Sequence, residues 1–274
     1  MSDVLPADDP ATTERLTAEL RAGLLVVAPA EHTYAVIADG FTPTATRRLL
    51  RARGAGRNRP VPVAIRTPYQ ITAVAQDVGD AARALMDAFW PGPLTLVLRA
   101  VPGLGVDLGN ARGTIQVRMP SEPLLDELIA ELGPLALTGA HRRGRARPST
   151  VEEAREELGD SAAVYADGGP REGPLSTIVD ARGDRVAVLR EGELDTDAVR
   201  DVVGADRLVA PARAPATGEQ GAADLPAPDD PPARDGATER TADPAAPDGA
   251  TERTPSASED PVADEASNAE EDER

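Results

Sequence analysis

Short runs of apolar residues alternate with amphipathic helical patterns along most of this chain. Apolar and β-branched runs predict strands at 24–28, 61–65, 94–98, 114–118, 134–138, 162–166, 176–180 and 186–190. Apolar positions spaced by three or four residues predict helices at 14–22, 42–53, 81–90, 122–132, 150–158 and 195–203. This alternation indicates an α/β fold, a sheet covered by helices. Because the last strands are joined by turns, we expect a mixed rather than a purely parallel sheet.

Residues that start and stop helices mark the ends of several of these patterns. Leu16 and Leu20 form an i, i+4 pair ahead of Gly23, which ends the first helix. Pro43 lies in the first turn of the second helix, where its missing N–H costs no hydrogen bond. The segment Thr150-Val-Glu-Glu153 has the form of a capping box. The sequence therefore supplies boundaries as well as element types.

The pattern fades at both ends of the chain, which predicts a single domain over 12–209. Residues 1–11 are poor in large side chains, and we expect them to be disordered. From Pro211 onward the last 64 residues contain 17 acidic residues and 5 arginines, with only Leu225 and Val262 as large aliphatic residues. Such a segment cannot bury enough apolar surface to offset its ordering entropy. We therefore expect residues 210–274 to form a disordered, acidic C-terminal tail.

Composition excludes several classes of protein. The formal charge is −18, but −12 of it belongs to the tail and only −6 to residues 1–210, so the acidity does not describe the folded part. The chain has no cysteine and two histidines, which excludes thiolate and histidine-rich metal sites. No apolar stretch is long enough for a membrane helix, and the first residues do not resemble a secretory signal. We therefore expect no bound protein metal, no membrane association and a cytoplasmic location.

Arginine, hydroxyl, glycine and proline residues cluster at the ends of predicted strands, where α/β proteins bind ligands. These clusters occupy 29–34, 51–60, 114–120 and 138–148, with Ser176 and Arg190 further along. Guanidinium groups that converge with hydroxyls form a receptor for phosphate or carboxylate. The chain has neither a Walker loop nor a dinucleotide-binding glycine motif, so these arginines would have to hold any nucleotide. Alternatively, 51–59 is a solvated helix end, and 142–147 is a basic loop or a nucleic-acid contact.

The order of these segments resembles the YrdC family of L-threonylcarbamoyladenylate synthases. That family shows a P-T-E-T-x-Y turn, a K-x-R-P loop, W-P-G-P-L-T, an R-x-P strand, S-A-N-x-S-G, S-T-[IV]-[VL]-D and a final R-x-G. The resemblance covers about 13–195, and its specificity lies in the colinear series rather than in any single motif. The matching segments here are Pro29–Tyr34, Arg53 ahead of Pro60, Trp90–Thr95, Arg118–Pro120, 139–144, Ser176–Asp180 and Arg190–Gly192.

The resemblance implies a YrdC-like twisted mixed sheet flanked by helices, and an enzyme that joins L-threonine, bicarbonate and ATP. Its product, threonylcarbamoyl-AMP, feeds the N6-threonylcarbamoyl modification of adenosine 37 in tRNA, through a downstream tRNA threonylcarbamoyl transferase. Pyrophosphate is the second product, and Mg²⁺ is expected to accompany the ATP. Family members also show a basic face associated with double-stranded RNA, so an RNA contact is a further expectation.

The resemblance also implies roles for individual residues. Arg118 and Ser176 are expected on the threonine side. The nucleotide and phosphate side is expected to include Arg53, Arg57, Thr114, Arg143 and Arg190. No covalent nucleophile is implied. Glu31 is a candidate general base for the amine, or equally a group that orients a neighbouring arginine. Tyr34 also stands where the family has tyrosine.

Other positions depart from the family pattern. Ala30 replaces the threonine of the first turn, Ala55 replaces an arginine, and the loop 139–144 has lost both serines and the asparagine. Lost hydroxyl donors at a ligand site cost about 1–3 kcal/mol for each buried partner left unsatisfied. A catalytically impaired paralogue that binds nucleotide or double-stranded RNA is therefore an alternative hypothesis. An enzyme that adenylates or carbamoylates another small acid is a third.

Overall fold

The computed structural model describes residues 2–54 and 56–210, and their strands and helices follow the alternation expected from the sequence. The strands are β1 (Asp3–Pro6), β2 (Val26–Ala30), β3 (Thr33–Asp39), β4 (Val63–Ala64), β5 (Ala75–Gln76), β6 (Leu94–Ala100), β7 (Thr114–Arg118), β8 (Leu135–Gly139), β9 (Val164–Asp167), β10 (Thr177–Asp180) and β11 (Ala187–Arg190). The α-helices are α1 (Pro10–Arg21), α2 (Pro43–Ala52), α3 (Ile71–Val74), α4 (Asp80–Phe89), α5 (Pro123–Leu132), α6 (Val151–Leu158) and α7 (Thr196–Val203).

All of these strands belong to one mixed sheet. Its order within the described residues is β1-β9-β2-β3-β8-β4-β7-β6-β10-β11, with β5 paired to β6 beside this path. The pairs β1–β9, β2–β9, β4–β7 and β6–β10 are parallel, whereas β2–β3, β3–β8, β4–β8, β6–β7, β5–β6 and β10–β11 are antiparallel. The expected mixed sheet is therefore confirmed.

Helices cover both faces of the sheet because successive strand residues point to opposite sides. In β2, Val26 and Ala28 belong to one buried cluster and Val27 to the other. Helices α1 and α5 cover the first face, through residues such as Leu16 and Leu128. Helices α2, α4, α6 and α7 cover the second face. The expected sheet flanked by helices is therefore present.

Several predicted boundaries lie within one or two residues of the observed ones. Strand β7 has the predicted bounds, and α6 begins after Thr150, whose side chain accepts a hydrogen bond from the Glu153 amide. Helix α4 ends at Phe89, and the following Trp90 is buried and donates from Nε1 to the Leu94 carbonyl at 2.9 Å. The Trp-Pro-Gly-Pro segment thus ends a helix and packs its indole in the core.

The N-terminal prediction is wrong for the described residues. Residues 3–6 form β1, an edge strand paired in parallel with β9, rather than a disordered segment. Helix α1 begins at Pro10, ahead of the predicted start, because Asp9 caps it by accepting a hydrogen bond from the Ala11 amide at 2.9 Å. The local sequence did not indicate this strand because it forms by tertiary pairing with β9, at residues 164–167.

Another difference from the prediction is an additional strand. Strand β3 was not predicted, although it forms a hairpin with β2 in which Ala30 pairs with Thr33. The sequence indicated a candidate ligand segment at 29–34 after a strand, and the apolar residues of β3 follow directly on it. Ala55 and residues 211–274 of the predicted disordered tail (210–274) lie outside the described residues. No helix among residues 2–54 and 56–210 is both long enough and apolar enough to cross a membrane.

The two-residue strand β4 positions the candidate site. It joins β8 on one side to β7 on the other, so it connects the half of the sheet that contains β2, β3 and β8 to the half that contains β6, β7, β10 and β11. The carboxyl ends of β2, β7, β8 and β11 all contribute residues to one cavity. Ligand sites at strand ends are the usual arrangement in α/β folds.

Candidate anion-binding active site

A small inner cavity of about 50 Å³ lies where the two halves of the sheet meet. Four of the predicted site residues line it, Arg53 and the more widely separated Arg118, Ser176 and Arg190. The last three come from different elements, β7, the segment before β10 and the end of β11. The remaining lining residues are Ala30, Thr33, Ala35, Pro62, Thr95, Leu137, Thr138, Gly139, His141, Arg147 and Leu175. The cavity therefore combines guanidinium groups with hydroxyls and small apolar side chains.

Arg118 is held at this cavity by an ion pair with Glu31. Its Nη2 donates to Glu31 Oε2, and both side chains are only 12% exposed. The second carboxylate oxygen of Glu31 accepts a hydrogen bond from the Ser121 amide at 3.1 Å. Nε of Arg118 is buried and has no hydrogen-bond partner among residues 2–54 and 56–210. Because the Arg118 guanidinium is held in place at the cavity wall, it is suited to bind a carboxylate in a bidentate manner.

This geometry bears on the two roles considered for Glu31. Its carboxylate is engaged by Arg118 and the Ser121 amide, and Glu31 is not among the residues that line the inner cavity. A general base must reach the proton that it removes. The structure therefore favours Glu31 as the group that orients Arg118, and it does not support Glu31 as a base.

Ser176 and Arg190 are fixed by contacts between the segment before β10 and the end of β11. Arg190 Nη2 donates to the Ser176 carbonyl at 2.5 Å, and the Ser176 hydroxyl accepts from Thr95 at 3.4 Å. Gly192 lets these segments approach, because a Cβ at this position would overlap the Leu175 carbonyl oxygen. This close approach explains the glycine of the Arg190–Gly192 motif.

Beside the inner cavity lies a wider basic cleft of about 590 Å³, which shares His141, Arg147 and Leu175 with it. Arg143 lines this outer cleft, and its amide donates to the Arg53 carbonyl at 2.9 Å. The Arg53 side chain is buried and faces the inner cavity. The other residues of the outer cleft are His32, Arg59, Gly144, Arg145, Ala146, Pro148, Ser149, Arg171, Glu172 and Gly173. A cleft of this size is in the range that holds small-molecule ligands.

Two of the predicted nucleotide-side residues are not brought to either cavity. Arg57 is an exposed residue that makes two hydrogen bonds to Asp107, at 3.1 and 2.6 Å. The Arg57 guanidinium lowers the pKa of Asp107 through this hydrogen-bonded pair. Thr114 lies at the opposite end of β7 from Arg118, about 13 Å away for a five-residue strand. Its hydroxyl donates to the Ala111 carbonyl at 2.6 Å, and it borders a different cavity.

Some site residues were missed as individuals, although they lie within recognised segments. Thr95 lies in the Trp-Pro-Gly-Pro-Leu-Thr segment, Thr33 in the first turn and Arg147 in the basic loop. Hydroxyl and guanidinium side chains inside those segments were the available signal. Arg171 lines the outer cleft but follows no predicted pattern, and nothing in the local sequence indicated it.

Tyr34 has a structural role behind the site. It is fully buried, and its hydroxyl donates to the Gly169 carbonyl at 2.8 Å and accepts from the Gly168 amide at 3.0 Å. Burial raises the pKa of Tyr34 to about 12, so the phenol stays protonated near neutral pH and remains a donor. Tyr34 therefore ties the 168–169 turn to β3.

The departures from the family motifs concentrate on one wall of the inner cavity. Ala30 and Gly139 line it without hydroxyls, and His141 lies against Gly139. His141 is only 5% exposed, and a Cβ on Gly139 would lie 2.5 Å from its Cε1 atom. The glycine and the histidine are therefore coupled, because the space of a side chain at 139 is occupied by the imidazole.

This coupling predicts an asymmetric result for restoring the family residues. The single change Gly139→Ser should lower kcat/KM about tenfold, because the buried His141 ring must move to admit the new side chain. The double change Gly139→Ser with His141→Asn should restore activity to within about threefold of His141→Asn alone. Steady-state kinetics on the four proteins of this cycle measure the coupling. An equal loss from Gly139→Ser in both backgrounds would contradict it.

The fold and this cavity define an α/β protein with an arginine- and hydroxyl-lined cavity at the ends of its strands. A sequence model of the Sua5_yciO_yrdC family, described as telomere recombination, matches residues 18–192. A Mycobacterium tuberculosis protein named "Putative threonylcarbamoyl-AMP synthase" is 43% identical over 188 residues, 68% of this chain and 87% of that protein. The threonylcarbamoyl-AMP synthase of Bacillus subtilis is 30% identical over 207 residues, 74% of this chain and 60% of that protein.

Solved structures give the same relationship. Pyrococcus abyssi Sua5 complexed with L-threonine matches with a TM-score of 0.67 and 26% identity, covering 76% of this chain and 62% of that one. Escherichia coli YciO matches with a TM-score of 0.65 and 25% identity, covering 73% of this chain and 100% of that one.

This chain belongs to the Sua5/YciO/YrdC family. The family and the fold expected from the order of motifs are thus confirmed, and the predicted activity is the one in the relatives' names. Those names also support the prediction of an enzyme. The chain spans less than two thirds of the length of the B. subtilis and P. abyssi proteins.

Proposed function

We propose that this protein is a threonylcarbamoyl-AMP synthase that uses L-threonine, bicarbonate and ATP. The observation that carries the proposal is the convergence of Arg118, Ser176 and Arg190 in one inner cavity beside a basic cleft. One site of this kind can hold an amino acid at its inner end and a triphosphate at its outer end. The relatives named for this activity match over most of the described residues.

The proposed reaction needs no covalent intermediate with the protein. The amine of threonine attacks carbon dioxide, supplied by bicarbonate, and loses a proton to form a carbamate. A carbamate oxygen then attacks the α-phosphorus of ATP. A new P–O bond forms, the bond between the α-phosphorus and its bridging oxygen breaks, and pyrophosphate leaves with the electron pair. Catalysis therefore rests on alignment of the reactants and stabilisation of negative charge.

In this proposal, the inner cavity binds the amino acid. Arg118, oriented by Glu31, binds the carboxylate of threonine. The hydroxyls of Ser176 and Thr95 lie within hydrogen-bond distance of each other and offer partners to the substrate's polar groups. Because Ala30 and Ala35 line the same cavity, its wall also admits the substrate's methyl group.

In this proposal, the arginines toward the outer cleft bind the phosphates of ATP. Arg53 and Arg190 face the inner cavity, Arg143 lines the outer cleft and Arg147 borders both. Among the described residues, no group of three histidine, cysteine, aspartate or glutamate side chains could hold a metal ion. The donors in both cavities are mainly guanidinium groups and hydroxyls, which suit phosphate rather than Mg²⁺. Mg²⁺ is therefore proposed to arrive as part of the MgATP substrate, held by the phosphates.

The outer cleft is also the proposed place of an RNA contact. Arg59, Arg143, Arg145 and Arg147 all line it, and arginines bind phosphate backbones irrespective of sequence. The product would pass to a tRNA threonylcarbamoyl transferase. Because that transfer takes place on tRNA, the cytoplasm is the proposed compartment.

The test measures the formation of pyrophosphate and of threonylcarbamoyl-AMP by mass spectrometry, in reactions from which each substrate is omitted in turn. We expect both products only when threonine, bicarbonate and ATP are all present. Release of pyrophosphate that requires a small acid other than threonine would support the hypothesis of an enzyme with a different substrate. Absence of product, together with binding of ATP or double-stranded RNA, would replace this proposal by the impaired, binding-only paralogue.

A further inference from the structure

A second ion pair lies directly behind the Glu31–Arg118 pair. Glu122 Oε2 accepts from Arg171 Nη1 at 3.0 Å, and the two side chains are 11% and 23% exposed. Glu122 immediately precedes α5, and Arg171 lies between β9 and β10, so the pair joins segments 49 residues apart. Two further hydrogen bonds hold Arg171 in place. Its backbone amide donates to the Ser149 carbonyl at 2.7 Å, and its second guanidinium nitrogen, Nη2, donates to the Gly168 carbonyl at 3.3 Å.

This second pair contacts both backbone groups of Glu31. The Glu31 amide donates to Glu122 Oε2 at 3.4 Å, and the Glu31 carbonyl accepts from Arg171 Nη1 at 3.5 Å. Glu31 has a φ of +54°, in the left-handed region that residues other than glycine adopt at a cost. Two charged side chains that meet the backbone of one strained residue hold that residue in its conformation.

The conformation of Glu31 in turn determines the place of Arg118. Glu31 lies in the two-residue turn between β2 and β3, and its carboxylate is the ion-pair partner of the Arg118 guanidinium. A change in the turn would move this carboxylate, and Arg118 with it. The four side chains thus form a chain of contacts that runs from Arg171 and Glu122, through the backbone of Glu31, to the wall of the inner cavity.

We propose that Arg171 and Glu122 are positioning residues that set the affinity of the site for the amino-acid carboxylate by fixing the Glu31 turn. This inference rests on the proposed function, because it assigns the carboxylate to Arg118. Neither Arg171 nor Glu122 needs to contact the amino acid, and their effect reaches it through Glu31 and Arg118. Glu122 lines neither the inner cavity nor the outer cleft, so the effect of changing it should be confined to threonine. Arg171 also lines the outer cleft, so changing it should affect ATP as well.

The experiment compares Arg171→Met, Arg171→Lys and Glu122→Gln with the wild-type chain in synthase assays in which threonine and ATP are varied separately. We expect Arg171→Met to raise the KM for threonine about tenfold. We expect Glu122→Gln to raise it severalfold, with kcat and the KM for ATP within about twofold of wild type. Arg171→Lys, which keeps the charge, should recover part of the loss. The double variant Arg171→Met with Glu122→Gln should cost little more than Arg171→Met alone, because both changes break the same pair.

The matched control is Arg66→Met. Arg66 pairs with Asp126 at 2.9 Å, one turn further along α5 than Glu122, but both side chains are 47% exposed and neither lines the inner cavity or the outer cleft. This variant should leave both KM values unchanged. A KM for threonine that stays at the wild-type value in folded Arg171→Met, or KM values for both substrates that rise equally in Glu122→Gln, would overturn the positioning role.

Two further readouts keep the test decisive. If Arg171→Met does not fold, Glu122→Gln preserves shape and hydrogen bonding and must raise the KM for threonine in the same direction. Calorimetric titration with threonine measures binding without turnover. If the wild-type chain makes no threonylcarbamoyl-AMP, the proposed function fails. Weaker threonine binding by the variants than by the wild-type chain would still support the positioning role, and equal binding would refute it.

Discussion

Replacing Arg118 by methionine should lower synthase activity by at least about 100-fold and also destabilise the fold. The activity is lost because the substrate carboxylate no longer has a positioned partner, and misplacement of about 1 Å is enough for an effect of this size. The stability is lost because Glu31 would remain as an unpaired charge at 12% exposure. Breaking a buried ion pair from one side costs about 3–5 kcal/mol. Activity assays and urea unfolding measure the two effects.

A double variant separates these two effects. Arg118→Met with Glu31→Leu removes both charges, and replacing a whole buried pair by apolar residues is often neutral for stability. We therefore expect most of the free energy of unfolding to return while activity stays low. The control is Arg57→Met, which breaks the exposed pair with Asp107 away from both cavities and should change activity less than about twofold. Full activity in Arg118→Met would refute the assignment of the carboxylate to this residue.

Substituting alanine for Gly192 should be nearly as damaging, although Gly192 contributes no side chain to the site. A Cβ there would overlap the Leu175 carbonyl oxygen and lie 2.7 Å from the Ser176 carbonyl carbon. Both neighbours are backbone atoms, so the two segments must separate. The segments carry Ser176 and Arg190, and the Thr177 hydroxyl, which accepts from the Gly192 amide at 3.0 Å, also joins them. We expect a loss of about 3 kcal/mol in unfolding free energy and a fall in activity of more than tenfold.

The control for this change is another glycine in the same part of the chain. A methyl group at Gly183 would have no atom within 4 Å, and the residue needs no left-handed backbone. Gly183→Ala should therefore change the free energy of unfolding by less than about 0.5 kcal/mol. Thermal unfolding and threonine-dependent pyrophosphate release give the comparison. Similar small effects for both substitutions would show that the approach of these two segments is not needed.

The departures at Ala30 and 139–144 do not remove the polar character of the inner cavity. Thr33, Thr95 and Thr138 line it, and His141 occupies the space beside Gly139. Hydroxyls and an imidazole are therefore available where the family motifs lost a threonine, two serines and an asparagine. This arrangement is the structural reason to prefer a synthase over a binding-only paralogue, and the substrate-omission assay decides between them.

The sequence by itself determined the class of fold, the family and the types of residue in the site. Periodicity is a local property, so it located most strands and helices, and the colinear motifs singled out Arg118, Ser176 and Arg190, which line one cavity. Sequence patterns failed where structure depends on distant partners. Strand β1 pairs with β9, and the unpredicted strand β3 lies between β2 and the distant β8.

Only the tertiary structure decided which charged groups act together. Arg57 lies in the same arginine-rich segment as Arg53, yet it turns outward to Asp107, 50 residues away, while Arg53 is buried at the cavity. The Glu31 carboxylate pairs with Arg118, which favours an orienting role for it, and Arg171 lines the outer cleft although no local sequence signal indicated it. The physical reason is that ion pairing and burial depend on strand register and chain path. Those are set by contacts between residues far apart in the sequence.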